Sequence, residues 1–450
     1  MTGKVILKNA TILRPGDSPP LIKGGDVYID GINIVAVEGE GSSFPENAAD
    51  EVLDLQGSIL TPGFINTHTH TPLTYLRGAA QDVGLAEFFQ RLAPYAHLIS
   101  RETAYWSSLL AQVEMIRNGI TTFVDSFEWV DEIGRAVVVS GLRAVLVSEI
   151  GGIRASSSGA RANAYTIGSM AYDFDEAYGQ ERLSQALEAI STVQFQDCSR
   201  LSNSLGPHAL YSCSPDLLKA IATHAQRMNL PISLHLAEDE SLETQIRQRH
   251  GSSVTLLQET GLLDLPCLGV HSIYLQDEEI QRLQGKAFSV AHCLGSNLKL
   301  GEKPAPLAEF LHLGIPVGIG TDSVMSNDNL DILEEARLIA LVHKGIERDP
   351  SFLAGDLALQ MATCMGAEAI GLGDRIGRLK PGYLADLAII ENKDPHWFPA
   401  PDPFMALLYA ASSRDVIHVM VDGNWVMKDR KILTVPEEGI LIKAKEITGS

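Results

Sequence analysis

The stretch "PGFINTHTHTPL", residues 62–73, opens with Pro-Gly, passes through a short apolar run and ends in two histidines one residue apart, His68 and His70. Side chains on a strand alternate faces, so these two imidazoles point the same way. At the C-terminal end of a first barrel strand both would face the barrel mouth, where barrel enzymes keep their chemistry. Alone, the pair reads either as metal ligands, neutral imidazole being a common donor, or as surface histidines beside a turn. The surrounding chain decides between the two.

Working outward, the middle of the chain alternates. "ILTPGFINTHTH" reads as a strand and is followed by a helical pattern; "GITTFVDSF", "GLRAVLVSEI", "NSLGPHALYS", "LPISLHLAED", "CLGVHSIYL", "AFSVAHCLGS" and "GIPVGIGTDS" follow at intervals, with helical stretches such as "SPDLLKAIATHAQRM" and "LAEFLHLG" between. Eight such units from about Ile59 to about Asp322 predict a parallel α/β architecture, a distorted (β/α)8 barrel. The Gly/Ser/Ala-rich segment 151–170 reads as a mobile loop after the third strand.

Both ends of the chain read differently. "KVILKNATIL", "GDVYIDGINIVAVEGE" and "EVLDLQGSIL" are short β-branched runs broken by Gly, Asn and Asp, and "ADLAIIENKD" and "DVIHVMVDGNWVMKDRKIL" match them near the C-terminus, the last with an Asp-Gly hairpin signal. The expected organisation is a small β-sandwich built from residues 1–58 and 373–450, flanking a barrel over 59–372. Asp386 falls in the sandwich and is expected to stay away from any chemistry.

Bulk properties narrow the function. The 450 residues are 45% hydrophobic, enough for a large core, and no apolar run approaches a membrane span. The N-terminal "MTGKVILKNATIL" lacks a signal-peptide pattern, so a cytoplasmic protein is expected. A net charge of -21 repels phosphate backbones and argues against a nucleic acid polymer; a small-molecule substrate, no membrane partner and a homo-oligomer are expected instead. Five cysteines without a C-x-x-C pair make a disulfide framework or an all-cysteine zinc site a poor reading.

Further polar residues gather where the strands end. His208 follows the fourth apolar run, His235 the fifth with Glu238 three residues on, His271 the sixth and Asp322 the eighth. His97, His224, His250, His312 and His343 fall on helical patterns and read as solvated or packed. His292, on the seventh strand, fits either a role beside the ligands or a structural one. Asn66 shares the face of His68 and His70 and could hold a ligand or pack at the mouth; Arg77 reads as structural; Phe88, Phe89 and Tyr95 could wall a pocket or pack in the core.

The stretches "PGFINTHTHTPLTYLRG", "GPHALYSCS", "HLAED", "SNLKLG", "GTDSVMSND" and "GRLKPGYLADLAII" resemble the metal-dependent amidohydrolase superfamily, in the chlorohydrolase and aminohydrolase branch that holds S-adenosylhomocysteine/methylthioadenosine deaminases and s-triazine hydrolases. The resemblance spans nearly the whole chain. It implies that His68, His70, His235 and Asp322 bind a metal, that His271 meets the substrate and the metal's water, that Glu238 shuttles a proton and that His208 contacts substrate. Three neutral nitrogens and a carboxylate fill a divalent site while leaving a position for water, whose pKa the metal lowers to give hydroxide at neutral pH. Asp322 then takes the water's proton, Glu238 delivers it to a ring nitrogen and His271 stabilises the polar intermediate as ammonia or chloride leaves. Binuclear relatives use a carboxylated lysine on the fourth strand. Here that strand, "NSLGPHALYS", has none, so one ion per chain is expected: zinc, with iron, manganese or nickel also suited to the donor set. The zinc deaminases that act on nucleobases in nucleic acids are excluded, since no H-x-E precedes a P-C-x-x-C.

The expected function is therefore a metal-dependent hydrolytic deaminase of an aminated N-heterocycle, either an adenosine-type compound such as S-adenosylhomocysteine or methylthioadenosine or a smaller amino-heterocycle. An s-triazine amino- or chlorohydrolase is the alternative. A non-catalytic scaffold like the dihydropyrimidinase relatives is disfavoured, because all four ligand positions and Glu238 are present. The resemblance also exposes departures. Deaminases of this branch carry a ribose-binding glutamate after a Leu-Pro; here "RLAPYAHL" places Ala96 there. They end strand three in an arginine, where this chain has Glu149; a second arginine matches Arg182, and Arg154 and Arg161 lie in the 151–170 segment.

Overall fold

The computed structural model describes residues 3–39, 45–153, 173–191, 198–354 and 356–449; the side chains at 48, 86, 89, 92, 93 and 96 are also outside the description. Eight parallel strands form the barrel sheet: β1 (Phe64–Thr69), β2 (Ile120–Phe127), β3 (Arg143–Ile150), β4 (Leu201–Pro207), β5 (Ile232–Leu236), β6 (Cys267–His271), β7 (Phe288–His292) and β8 (Val317–Ile319), each paired to the next in chain order. The intervening helices follow from local chemistry. In Pro215–Met228, Ser214 caps the first turn by accepting from the Leu217 amide at 3.1 Å, and Pro215 supplies a preset φ. Leu217, Leu218, Ile221, Ala222 and Ala225 form its buried stripe, and Asn229 ends it in the left-handed region at φ 54°.

The barrel closes between β8 and β1. Asn66 holds this seam: its Nδ2 donates to Thr321 Oγ1 at 2.7 Å, and its Oδ1 accepts from the Thr321 amide at 3.1 Å. The Asp322 amide then donates to the His68 carbonyl at 3.0 Å. Close approach explains two glycines here: a Cβ at Gly318 would collide with Thr67, and one at Gly320 would lie 3.0 Å from the Cβ of His68. The ambiguity over Asn66 thus resolves toward holding the strand that bears the first two histidines.

The run Ile59–His70 is two strands rather than one. Ile59–Pro62 belongs to a separate nine-stranded, largely antiparallel sheet made from both ends of the chain, and Gly63 passes the chain from that sheet to β1. Ile59–Pro62 pairs antiparallel with Leu387–Ile390 on one side and parallel with Thr11–Ile12 on the other. Leu7, Ile12, Ile29, Leu60, Leu387 and Met420 form part of one buried cluster on this sheet. Asp386 sits at the joint with the barrel, where it accepts from Arg143 Nε at 2.8 Å and from Nη2 at 3.2 Å; Arg143 also pairs with Asp422. The sandwich residue thus serves the junction. No helix among the described residues is long and apolar enough to cross a membrane, and all five cysteines are free. The segment expected to be a mobile loop, with Arg154 and Arg161, lies almost wholly outside the described residues.

Candidate metal centre and active site

His68 reaches the barrel mouth from β1 and His70 from the residue just after it, His235 from β5 and Asp322 from the turn just beyond β8. All four are buried. The strand tops are held in conformations that a side chain rarely adopts: Ala237, His271 and Asp322 have φ of 48°, 66° and 59°. Left-handed residues cost of order 1–2 kcal/mol each and persist where surrounding bonds fix them. The Asp322 amide is fixed by the His68 carbonyl at 3.0 Å, and the Ala237 carbonyl accepts from the amides of Ile273 and Tyr274 at 3.1 and 2.9 Å.

Ligand nitrogens from His68, His70 and His235 lie within 4.8 Å of one another. His70 Nε2 faces His235 Nε2 at 3.3 Å, and Asp322 Oδ1 lies 3.4 Å from His70 Nε2 and 3.5 Å from His68 Nε2. A tetrahedral ion with bonds of about 2.0–2.1 Å spaces its ligands by about 3.3–3.4 Å, so the set has the right size. Tautomers sharpen the argument. His70 Nδ1 donates to the Ser126 carbonyl at 2.6 Å and His235 Nδ1 to the His208 carbonyl at 2.8 Å. A neutral imidazole has one N–H, so both Nε2 atoms present lone pairs to each other across 3.3 Å. Two ring nitrogens that close share a cation: a proton, which the carboxylates around His235 favour, or a metal ion. His68 adds two buried ring nitrogens without a hydrogen-bond partner. Ser296 and Ser326 donate to Asp322 Oδ2 at 2.6 and 3.0 Å and leave Oδ1 turned toward the histidines. The residues present fit a divalent metal.

Electrostatics point the same way. Burial holds His68 and His208 well below the ordinary imidazole value and takes His70 to about 4, so these rings are neutral donors at physiological pH. Burial also lowers His235, but Glu238, Glu149 and Asp322 outweigh it and raise the net value. Burial opposes ionisation of Asp322, yet the adjoining imidazoles hold its carboxyl well below the usual range.

Around this cluster, Glu238, His208 and His271 line one cavity with Leu73, Leu85, Phe88 and Leu300. Phe88 thus walls the pocket; Tyr95 is exposed and Phe89 lies outside the described side chains. Glu238 Oε1 accepts from the Tyr211 hydroxyl at 2.7 Å, and Oε2 lies 3.8 Å from His271 Nε2. His271 Nδ1 meets Asn297 Oδ1 at 2.8 Å, which turns Nε2 toward the cavity as an acceptor. Tyr211, Asn297 and Ser126 were not singled out by the sequence reading. Each acts through a loop or strand-top bond that no periodicity announces, although Tyr211 and Asn297 sit inside the stretches "GPHALYSCS" and "SNLKLG".

Other expected residues lie elsewhere. Arg182 is not among the histidines; its guanidinium pairs with Glu128 at 2.7 Å. Glu149 is part-buried, accepts from the Ser126 hydroxyl at 3.1 Å and is pushed by burial up to about 7. His292 meets His343, Nε2 to Nε2 at 3.0 Å, away from the ligand cluster, which favours the structural role. Arg77 pairs with Glu114 and the Asp328 carbonyl, as a structural residue should.

Residues 59–426 match the amidohydrolase family. A 5-methylthioadenosine/S-adenosylhomocysteine deaminase from Syntrophomonas wolfei is 36% identical over 446 residues, covering 98% of each chain. The enzyme of that name from Pyrococcus abyssi is 35% identical over 99% of this chain and 98% of its own. Among solved structures, an adenosine deaminase from Xanthomonas campestris with bound zinc superposes with a TM-score of 0.87 at 26% identity, over 99% of this chain and 98% of that one. An atrazine chlorohydrolase from Arthrobacter aurescens complexed with zinc gives a TM-score of 0.87 at 22% identity, over 99% and 100%, a likeness of fold.

Proposed function

The chain belongs to the amidohydrolase family, and from that premise we propose that it hydrolytically deaminates an adenosine-type amino-heterocycle, releasing ammonia. The observation that carries this reading is the convergence of His68, His70, His235 and Asp322 beside Glu238 in one cavity. One divalent ion per chain, zinc first, would be held by His68, His70 and His235 through Nε2 and by Asp322 through Oδ1. When bound, such an ion makes water nucleophilic at neutral pH.

The remaining work belongs to the side chains. Leu73, Leu85, Phe88 and Leu300 offer apolar walls for a flat ring and exclude bulk water. His208 and His271 offer polar contacts at its edge. Glu238, steadied by Tyr211, passes a proton to the ring nitrogen next to the amino-bearing carbon as water's oxygen bonds to that carbon. Asp322 accepts the water's proton and passes it to the amino group, so that the C–N bond breaks and ammonia leaves, while the proton of the hydroxyl on that carbon returns to Glu238. The net charge of -21 argues against polymeric nucleic acid as a partner, and the working assembly proposed is a cytoplasmic homo-oligomer.

The test is ammonia release over a panel of purines, nucleosides, their 5′-thioethers, pterins and triazines, with elemental analysis of the same sample. About one ion per chain and turnover of adenosine-type compounds are expected; two tightly held ions would overturn the mononuclear assignment. The relatives' names put S-adenosylhomocysteine and methylthioadenosine on the panel. Glu149 stands where the resemblance expects an arginine, so S-adenosylhomocysteine should be outperformed by another member; if it or methylthioadenosine is best, the specificity part of the proposal fails.

A further inference from the structure

Two short turns carry the groups that aim Asp322 and His271, and one buried side chain holds both. In the helix Leu294–Lys299, Ser296 donates to Asp322 Oδ2 at 2.6 Å and Asn297 Oδ1 accepts from His271 Nδ1 at 2.8 Å. The start of that helix lacks a local cap, since Cys293 at the capping position makes no side-chain bond to it. Glu335, from the helix Ile332–Glu347, takes the place of a cap: its Oε2 accepts from the Gly295 amide at 3.0 Å. The second turn is Val324–Asn327, where Ser326 gives Asp322 Oδ2 its other bond at 3.0 Å. Asn327 closes this turn, donating through Nδ2 to the Thr321 carbonyl at 2.7 Å and to Glu335 Oε1 at 3.0 Å. Each oxygen of Glu335 thus serves one turn. The fit is close: a Cβ at Gly295 would lie 2.2 Å from Glu335 Oε1, so a larger residue there drives the carboxylate away. Glu335 is buried, and these two bonds go to the turns rather than to Asp322 or His271.

We propose that Glu335 is a positioning residue for the hydrolysis: by clamping both turns it keeps Asp322 Oδ1 turned toward the ion's ligands and His271 Nε2 turned toward the cavity. The inference rests on the metal-dependent deaminase reading and deepens it by naming what sets the geometry of two of its groups. Residues one bond removed from a metal ligand change metal affinity or turnover by about 10–100-fold when lost.

Glu335→Met, of like size but without an acceptor, tests it. Zinc affinity is measured by chelator competition, and kcat and KM at saturating zinc on the best compound of the panel. Expected are a kcat and a zinc affinity each lower by about 10–100-fold, with KM little changed. Glu335→Gln keeps one acceptor oxygen and should recover part of both losses. Ser296→Ala should cost less in Glu335→Met than in the wild-type protein, because the turn that aims Ser296 is already released. Arg143→Met, which loosens the opposite end of the barrel strands, is the control and should keep kcat and zinc affinity near wild type. The clamp is overturned by wild-type kcat and affinity in Glu335→Met, by a glutamine variant no better than the methionine one, by losses that add in full with Ser296→Ala, or by the same losses in Arg143→Met. If Glu335→Met does not fold, Gly295→Ala displaces the same carboxylate and carries the same expectations. Ammonia release that is indifferent to Glu335 sinks only this inference. If no compound releases ammonia, the deaminase reading fails, and the zinc affinities with the Ser296 cycle decide the clamp. A wild-type chain that binds no zinc overturns both.

Discussion

Glu238 depends on a neighbour for its aim. Tyr211 lies three residues past His208, and its hydroxyl reaches Glu238 Oε1 at 2.7 Å. Removing that donor costs a hydrogen bond to a charged group, so Tyr211→Phe should lower kcat by about tenfold with metal content intact. Glu238→Gln should lower it by about 10² or more, again with metal retained. Because the tyrosine is argued to work through the glutamate, adding Tyr211→Phe to Glu238→Gln should cost little more, and a double-mutant cycle measures this directly. His70→Ala behaves differently: it removes one of the nitrogens proposed to hold the ion, so metal and activity should vanish together, by elemental analysis and ammonia assay on one preparation. The spacing of His68 and His70 alone left a surface pair open; His235, His271 and Asp322, standing where apolar runs stop, made the metal reading the better one. Tyr211, Asn297 and Ser126 were not legible, because what they do depends on which loops meet at the mouth.

Arg143 opens β3 and lies buried between Asp386 and Asp422. Arg143→Met leaves two carboxylates buried without their cation and should destabilise by about 3–5 kcal/mol in urea unfolding. Exchanging all three residues for apolar ones of like size should cost much less. In the helix Ile332–Glu347, Glu335 is buried, accepts from the Gly295 amide and from Asn327 Nδ2, both at 3.0 Å, and is pushed by burial up to about 7. Its folded value lies above the unfolded one, so between about pH 4.5 and 7 the folded chain holds a proton that the unfolded chain has lost. Stability from this group is present below that window and declines as pH rises through it. Glu335→Gln should flatten that decline, recovering of order 1–3 kcal/mol at pH 8 relative to pH 5. Alternation and turn residues revealed eight barrel strands and the β-rich ends. They could not show that Ile59–Pro62 and Phe64–Thr69 part company at Gly63, since a run of apolar β-formers looks the same whichever sheet supplies its partners.

At the scale of the molecule, the proposed ion would tie β1, β5 and the turn after β8 together across the seam that Asn66 and Thr321 close. Ligands that bind only the folded state stabilise it by mass action. Chelation should therefore lower the melting temperature. It should also raise hydrogen exchange first at the amides of Gly320, Thr321 and Asp322, which bond to β7 and β1, and leave β2 and β3 protected. Uniform loss of protection around the whole barrel would show that the seam is no weaker than the rest. The terminal sheet carries another consequence, one of timing. Ile59–Pro62 finds its antiparallel partner in Leu387–Ile390. On a ribosome, the roughly 320 intervening residues take on the order of 20–60 s to emerge. Throughout that interval the N-terminal strands are outside the tunnel with one edge unclaimed, a nascent hazard for pairing with a neighbour on the same messenger, so translation speed and holding chaperones should govern yield more strongly than the stability of the finished enzyme does.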